Sequence, residues 1–203
     1  MKTDISTVVK KERYNRDEEV LKAAIEVMSE RGYPATTIQE VADRVGVLKG
    51  SLYHYFKSKE DLLFRILEGS HTQSQLIVEE VQELQLSAHD ELLEYLHRIC
   101  LWYLDNVLRA TIFFTESRHL TGERLEQAKQ KGRAYERYIQ DLVDTAQADG
   151  DIRSDIDGRL ITRFLLGAVN NARTWPSRSK NQFSHEEIVG SFLMMVRSSI
   201  STL

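Results

Sequence analysis

The 203-residue chain holds one cysteine, two prolines and ten glycines, and each scarcity excludes something. A single thiol, Cys100, cannot close an intramolecular disulfide framework and fits a reducing compartment. So little proline and glycine leaves room for long helices and few hairpin turns. No run approaches the roughly 18 apolar residues of a membrane span. The first residues, MKTDISTVVKKERYN, lack the apolar core of a secretory signal. A cytoplasmic chain with no membrane partner is expected.

Catalytic signatures are equally scarce. The histidines at 54, 71, 89, 97, 119 and 185 show no HExxH or comparable ligand spacing, and Cys100 has no CxxC partner, so no metal or cofactor is expected. Adjacent carboxylates such as Glu79-Glu80 and Glu186-Glu187 read as solvated helix faces. No glycine-rich loop or nucleophile elbow follows a strand, because no strand is evident. An enzyme is therefore the weakest reading, and a helical adaptor that binds only protein outranks it as an alternative.

Charge is unevenly spread. Residues 1–65 carry twelve Lys and Arg against eleven Asp and Glu, whereas 66–203 carry fifteen against twenty, so the overall charge of -4 does not exclude a nucleic-acid partner for the first third.

The pattern is helical throughout. Asn15 and Glu18 form a capping-box pair, and Val20, Leu21, Ala24, Val27 and Met28 recur at helical spacing until Arg31-Gly32. Thr37 and Glu40 open a short helix whose apolar side is Ile38, Val41, Ala42 and Val45, closed by Gly46. A third helix over 48–56 places Leu48, Leu52 and Phe56 on one face, with Gly50, Tyr53 and His54 on the other. Ser58 and Asp61 open a long fourth helix running towards 78–82, and further helices are predicted over 88–106, 109–118, 121–148, 157–174 and 184–200. The expected fold is all-α with about nine helices: a helix-turn-helix domain over 1–60, with 1–14 as a flexible arm, joined to a helical bundle over 61–203.

A helix, a tight turn and a second helix over 37–56 present that second helix to a DNA major groove, which is wide enough to admit one. Lys49, Ser51, Tyr53 and His54 occupy its outer face, and Gly50 permits close approach. Thr37 and Lys59 stand at helix starts, where N–H groups and a hydroxyl or ammonium hold phosphates. Tyr55 could equally belong to the core.

The residues Thr37, Ile38, Val41, Ala42, Gly46, Val47, Gly50, Ser51, Tyr53, Tyr55, Phe56, Ser58, Lys59, Glu60 and Leu62 resemble the N-terminal signature of the TetR family of transcriptional regulators. The resemblance is strong over 16–65 and rests on length and layout beyond it. It implies a homodimeric repressor with a small-molecule effector, and Thr37, Lys49, Gly50, Tyr53, His54 and Lys59 as the positions nearest a double-stranded DNA operator. One departure stands out. Members commonly carry a capping Ser or Thr where this chain has Leu48, so the third helix is expected to start less firmly.

Trp102, Phe113 and Phe164 are candidates for an apolar effector pocket, although a bundle core needs the same residue types. Glu116, Arg118, Asn170, Arg173 and Trp175 lie beside these stretches, where an unpaired polar group is costly, and complete the candidate effector set. The segment NNARTWPSRS at 170–179 is similar in part to TetR-family regulators of fatty-acid and sterol breakdown that respond to acyl-coenzyme A thioesters. It keeps Asn170 and Trp175 but has Asn171 and Pro176 where those proteins have Trp and Tyr. The resemblance makes an acyl-CoA a candidate effector, with Arg118, Arg173 or Arg178 meeting its phosphates. Homodimerisation is expected through the last two helices, along stripes such as Leu160, Phe164, Ile188, Phe192 and Val196.

Overall fold

The computed structural model of the protein describes residues 5–175 and 183–202. Nine α-helices run through them: α1 Ile5–Ala35, α2 Ile38–Val45, α3 Lys49–Leu52, α4 Lys59–Gln82, α5 Ala88–Asp105, α6 Val107–Glu116, α7 Gly122–Asp149, α8 Gly158–Asn171 and α9 His185–Ile200. Short 3-10 turns follow α6 at Ser117–His119 and α8 at Ala172–Thr174. The all-α architecture is thus as the periodicity predicts.

Several boundaries follow from capping chemistry. Thr37 Oγ1 accepts the Glu40 N–H at 3.2 Å while the Glu40 carboxylate accepts the Thr37 N–H at 2.9 Å, a closed box that satisfies donors α2 would otherwise leave orphaned. The same reciprocal arrangement joins Ser184 and Glu187 at α9. Gly46, at φ 76°, takes the left-handed conformation that ends α2, and Val47 N–H returns to the Ala42 carbonyl at 3.0 Å. Gly32, at φ 75° and ψ 159°, breaks α1 where the sequence predicts its end, leaving one further turn that contains Pro34.

Two expectations about helix starts change. Residues 5–14, expected as an arm, are helical and continuous with α1. The third helix is a single regular turn, Lys49–Leu52, after which the Tyr55 and Phe56 N–H groups bond the Leu52 carbonyl as a looser continuation. Leu48 stands at its N-cap with extended φ/ψ, supplies no side-chain cap and is 80% exposed, so it does not share the buried face of Leu52 and Phe56. Its backbone is not yet helical, and the helical phase that would carry it inward does not apply.

Two apolar cores meet along α4. The first joins α1–α4 through Val20, Ala24, Val27, Val41, Leu52, Phe56, Leu62 and Ile66, and reaches Ile112 and Leu120. The second is built around α5, which packs against α4, α7, α8 and α9. Cys100 is fully buried there, and burial pushes its thiol up to about 12, which keeps it unreactive.

Candidate functional site

The short helix α3 and the turn after it present one exposed surface. Leu52 and Phe56 anchor this unit from below, while Lys49, Gly50, Tyr53 and His54 are exposed and Ser51 is half-buried. The Tyr53 ring leans against Phe56, with centroids 6.4 Å apart, which orients the phenol without covering it. Tyr55 is half-buried against the first core. The exposed lysines Lys49 and Lys57 flank this surface; Lys57 escapes a reading of the sequence because a lone lysine in a loop carries no periodic signal.

Two predicted phosphate contacts are otherwise engaged. Thr37 is exposed, but both its N–H and its hydroxyl donate to the Glu40 carboxylate at 2.9 Å. The Lys59 ammonium donates to the carbonyls of Tyr33, Pro34 and Thr36 at 3.0, 3.1 and 3.0 Å and lies 4.6 Å from the Tyr33 ring centroid. Its three protons are therefore used to tie the start of α4 to the end of α1. Lys59 is a brace between helices in this structure, a role that depends on where the end of α1 passes and is invisible in local sequence.

The start of α4 is also bolted to α7. Ser58 Oγ accepts the Asp61 N–H at 3.0 Å, so Ser58 caps as predicted, but the Asp61 carboxylate turns to Lys57 N–H at 2.9 Å and to the Arg124 guanidinium at 2.5 Å. Glu60 accepts from Thr121 N–H and Oγ1 at 2.8 and 3.0 Å, serving the helix start at which Thr121 makes no cap of its own. Lys131 meets Glu68 at 2.7 Å one stretch further along.

Between α4 and α7, and roofed by α5, α6 and α8, lies a cavity of about 410 Å³. Of the predicted effector residues, Trp102, Phe113 and Asn170 line it. Arg173 stands beside it, its guanidinium 4.7 Å from the centroid of the lining Phe114 and donating to the Asn170 carbonyl. Burial lowers the Arg173 pKa, and no carboxylate pairs with it among the described residues. A lobe of about 230 Å³ shares His71, Ser74 and Tyr135 with the main cavity.

Other predicted effector residues are elsewhere. Phe164 is 53% exposed, because Ile161, Leu165 and Val169 set the inward face of α8 and turn Leu160 and Phe164 outward. Glu116 is buried at the end of α6, 3.3 Å from His119, whose ring stacks on Tyr33 at 5.1 Å, and Arg118 is exposed. Trp175 packs on Phe192 at 5.4 Å. Arg178 lies outside the described residues.

The sequence pattern does not reveal the α4 and α7 walls: Ser70, His71 and Ser74 on one, and Lys129, Arg133 and Tyr135 on the other. A signal exists for the first. Small and polar side chains at i, i+1 and i+4 break the apolar face of α4 where a core helix would keep it apolar. Burial, followed by the nearby Lys131, lowers the His71 pKa, and its ring meets Phe113 edge-on at 4.9 Å. A wider groove of about 1060 Å³ between α1, α4 and the α5–α6 junction is open and lined by Asp17, Glu18, Arg65 and Arg109, among others. It lacks the enclosing aromatic walls of a small-molecule site.

The outward face of the last two helices differs from the predicted stripe. Phe192 and Val196 are buried in the chain's own core, and Ile188 is partly buried against it. Leu160 and Phe164 on α8, with Met194 and Met195 on α9, are the apolar side chains left exposed. Among the described residues no helix is long and apolar enough to cross a membrane.

Comparison with known proteins places this architecture. Residues 20–66 match the model of bacterial regulatory proteins of the tetR family, and residues 85–200 match a tetracyclin repressor-like C-terminal domain. The HTH-type transcriptional repressor KstR2 of Rhodococcus jostii is 32% identical over 164 residues, which is 79% of either chain. The fatty acid metabolism regulator protein of Bacillus subtilis is 24% identical over 168 residues, 77% of this chain and 81% of that one. Among solved structures, the ketosteroid transcriptional regulator KstR2 of Mycobacterium tuberculosis superposes with a TM-score of 0.86 at 23% identity, covering 93% of this chain and 96% of that one. AibR in complex with isovaleryl coenzyme A and operator DNA gives 0.80 at 23% identity, covering 89% and 97%. The chain belongs to the TetR family and is a DNA-binding transcription regulator rather than an enzyme.

Proposed function

We propose that the protein is a homodimeric repressor that seats two α3 units in successive major grooves of a palindromic operator and leaves it when an acyl-coenzyme A thioester enters the cavity beside α4. One observation carries this reading: α4 belongs to both sites. Its first turn is tied through Lys59 to the carbonyls of Tyr33, Pro34 and Thr36, between α1 and the α2 on which α3 packs, and its middle supplies Ser70, His71 and Ser74 to the cavity wall. A ligand that separates α4 from α7 acts on the same helix that braces α1 and the entry to α2, and so reaches α3 through them, which is what coupling between two sites requires.

The chemistry of the cavity supports a thioester. Aromatic walls from Trp102, Tyr103, Phe113 and Phe114 suit an acyl group, and the exposed Lys129 and Arg133 at the α7 edge suit the phosphates of coenzyme A. Relatives point the same way: AibR was solved with isovaleryl coenzyme A, and two relatives are named for ketosteroid and fatty-acid regulation. Lys49, Gly50, Ser51, Tyr53 and His54 are the proposed base and backbone contacts, with Thr37 joining only if a phosphate displaces Glu40. The exposed Leu160, Phe164, Met194 and Met195 are the proposed dimer face, where Gly167 and Gly190 have open space around them and permit close helix approach.

Replacing Tyr53 by Ala is expected to weaken operator binding about tenfold, the scale of one charge-assisted hydrogen bond, with dimerisation intact. Unchanged affinity would remove Tyr53 from the DNA-facing surface. Calorimetric titration with an acyl-CoA and its matching free acid tests the effector class, and absence of thioester binding at micromolar concentration would exclude it.

A further inference from the structure

Three tyrosines cluster where α4, α5 and α7 meet, and they differ in one respect. Tyr95 shares a hydrogen bond with Ser74 at 2.9 Å, and Tyr138 donates to Glu91 at 2.9 Å. Tyr135, whose ring lies 5.8 Å from that of Tyr95, lines both lobes of the cavity, and its hydroxyl is shut off from bulk solvent and makes no short hydrogen bond. Burial, followed by the neighbouring Tyr95, holds the Tyr135 hydroxyl well above the usual phenol pKa; Tyr95 reaches it only as a long, weak hydrogen-bond neighbour, its short bond going to Ser74.

A second unpartnered group lines the same cavity. Asn170 Oδ1 is buried without a donor, while the Asn170 backbone carbonyl is taken by Arg173. A buried polar atom left unpaired costs about 1–3 kcal/mol, so two around one cavity are expensive unless something meets them. A saturated hydrocarbon chain would leave both unmet, and a site shaped for such a chain alone would carry Phe and Leu at these positions.

We propose that the effector's acyl group carries an oxygen function beyond its thioester carbonyl, a hydroxyl or a ketone, received by Tyr135 and Asn170 inside the cavity. This rests on the acyl-thioester reading and narrows it. A hydroxyl donates to Asn170 Oδ1 and accepts from Tyr135; a carbonyl accepts from Tyr135 and, with the amide turned over, from Asn170 as well. Cavities of about 410 and 230 Å³ also favour a compact acyl group over a long one. The protein therefore senses an intermediate into which a hydratase or hydroxylase has placed an oxygen, as the alcohol or as the ketone that a dehydrogenase makes from it, rather than the saturated starting material.

The test is calorimetry on the full chain with octanoyl-CoA, 7-hydroxyoctanoyl-CoA and 7-oxooctanoyl-CoA, together with the three free acids. At least one oxygenated thioester is expected to bind about tenfold more tightly than octanoyl-CoA, the worth of one buried hydrogen bond. Tyr135→Phe and, independently, Asn170→Leu are expected to bring the three thioesters towards one affinity. Equal affinities in the unmodified protein, or an advantage that survives both substitutions, would overturn oxygen recognition and leave the thioester reading standing. Tight binding of 7-hydroxyoctanoate or 7-oxooctanoate with no thioester binding would do the reverse. No binding by any of the six would overturn both.

Discussion

Replacing Lys59 by Met separates two roles for a lysine at a helix start. In the structure its ammonium satisfies three carbonyls at 3.0–3.1 Å and rests on the Tyr33 ring. Methionine keeps the stem and loses the charge and all three donors. Hydrogen bonds to a charged group contribute about 1.5–3 kcal/mol, and water reaches part of this half-buried site, so a loss of about 2 kcal/mol is expected. For a chain of this size that corresponds to a fall in Tm of about 4–8 °C, measured at fixed protein concentration. Operator affinity should fall because α4 is released from α1, while the dependence of log Kd on log salt stays unchanged. Were Lys59 instead bound to a phosphate, Tm would hold and the salt slope would drop by about 0.9 for each phosphate no longer neutralised. That second outcome would refute the brace.

Leu48→Ser should raise stability by about 1 kcal/mol, because a hydroxyl at this N-cap can accept an otherwise poorly served helix donor; no gain in Tm would show that α3 is already held by its anchors. The double substitution Leu160→Glu and Phe164→Glu places carboxylates on the proposed dimer face and should give a monomer by light scattering, whereas a persistent dimer would move the interface elsewhere. His71 carries a pKa held below its ordinary 6.5 by burial and by Lys131. The folded chain thus refuses a proton that the unfolded chain accepts, so this contribution is intact above about pH 6.5 and is lost as pH falls towards the depressed folded value. Urea unfolding of the unmodified protein and of His71→Gln at pH 7.5 and 5.5 should show the gap between them changing with pH, and a constant gap would remove His71 from the acid response.

Local chemistry makes much of this fold legible in the sequence. Thr37 with Glu40, Ser58, and Ser184 with Glu187 mark helix starts because a short hydroxyl side chain can reach only its own first turn. Gly46 and Gly32 mark the ends because the chain there needs a positive φ. Helical phase alone turns Leu52 and Phe56 inward and Tyr53 and His54 outward, which agrees with their burial.

The features that escape depend on partners distant in sequence. Leu48 escapes the phase of a helix it only introduces. The predicted Asp61 side chain closes no box because Arg124, sixty-three positions later, offers it a charge. Phe164 reads as a pocket aromatic until Ile161, Leu165 and Val169 fix which side of α8 is buried. Tyr135 hides among the charges of α7, where nothing in the local pattern tells a solvent-facing phenol from one enclosed by three neighbouring helices.

Fluorescence anisotropy of a labelled duplex from the DNA upstream of the chain's own gene tests the central claim, that one helix couples reading head and cavity. The unmodified protein should bind at nanomolar concentration and be released on addition of a bound acyl-CoA, whereas Asp61→Asn with Arg124→Gln, which unbolts α4 from α7, should bind the same thioester and release DNA less completely. Thioester binding with no change in DNA affinity, in the unmodified protein, would contradict the account.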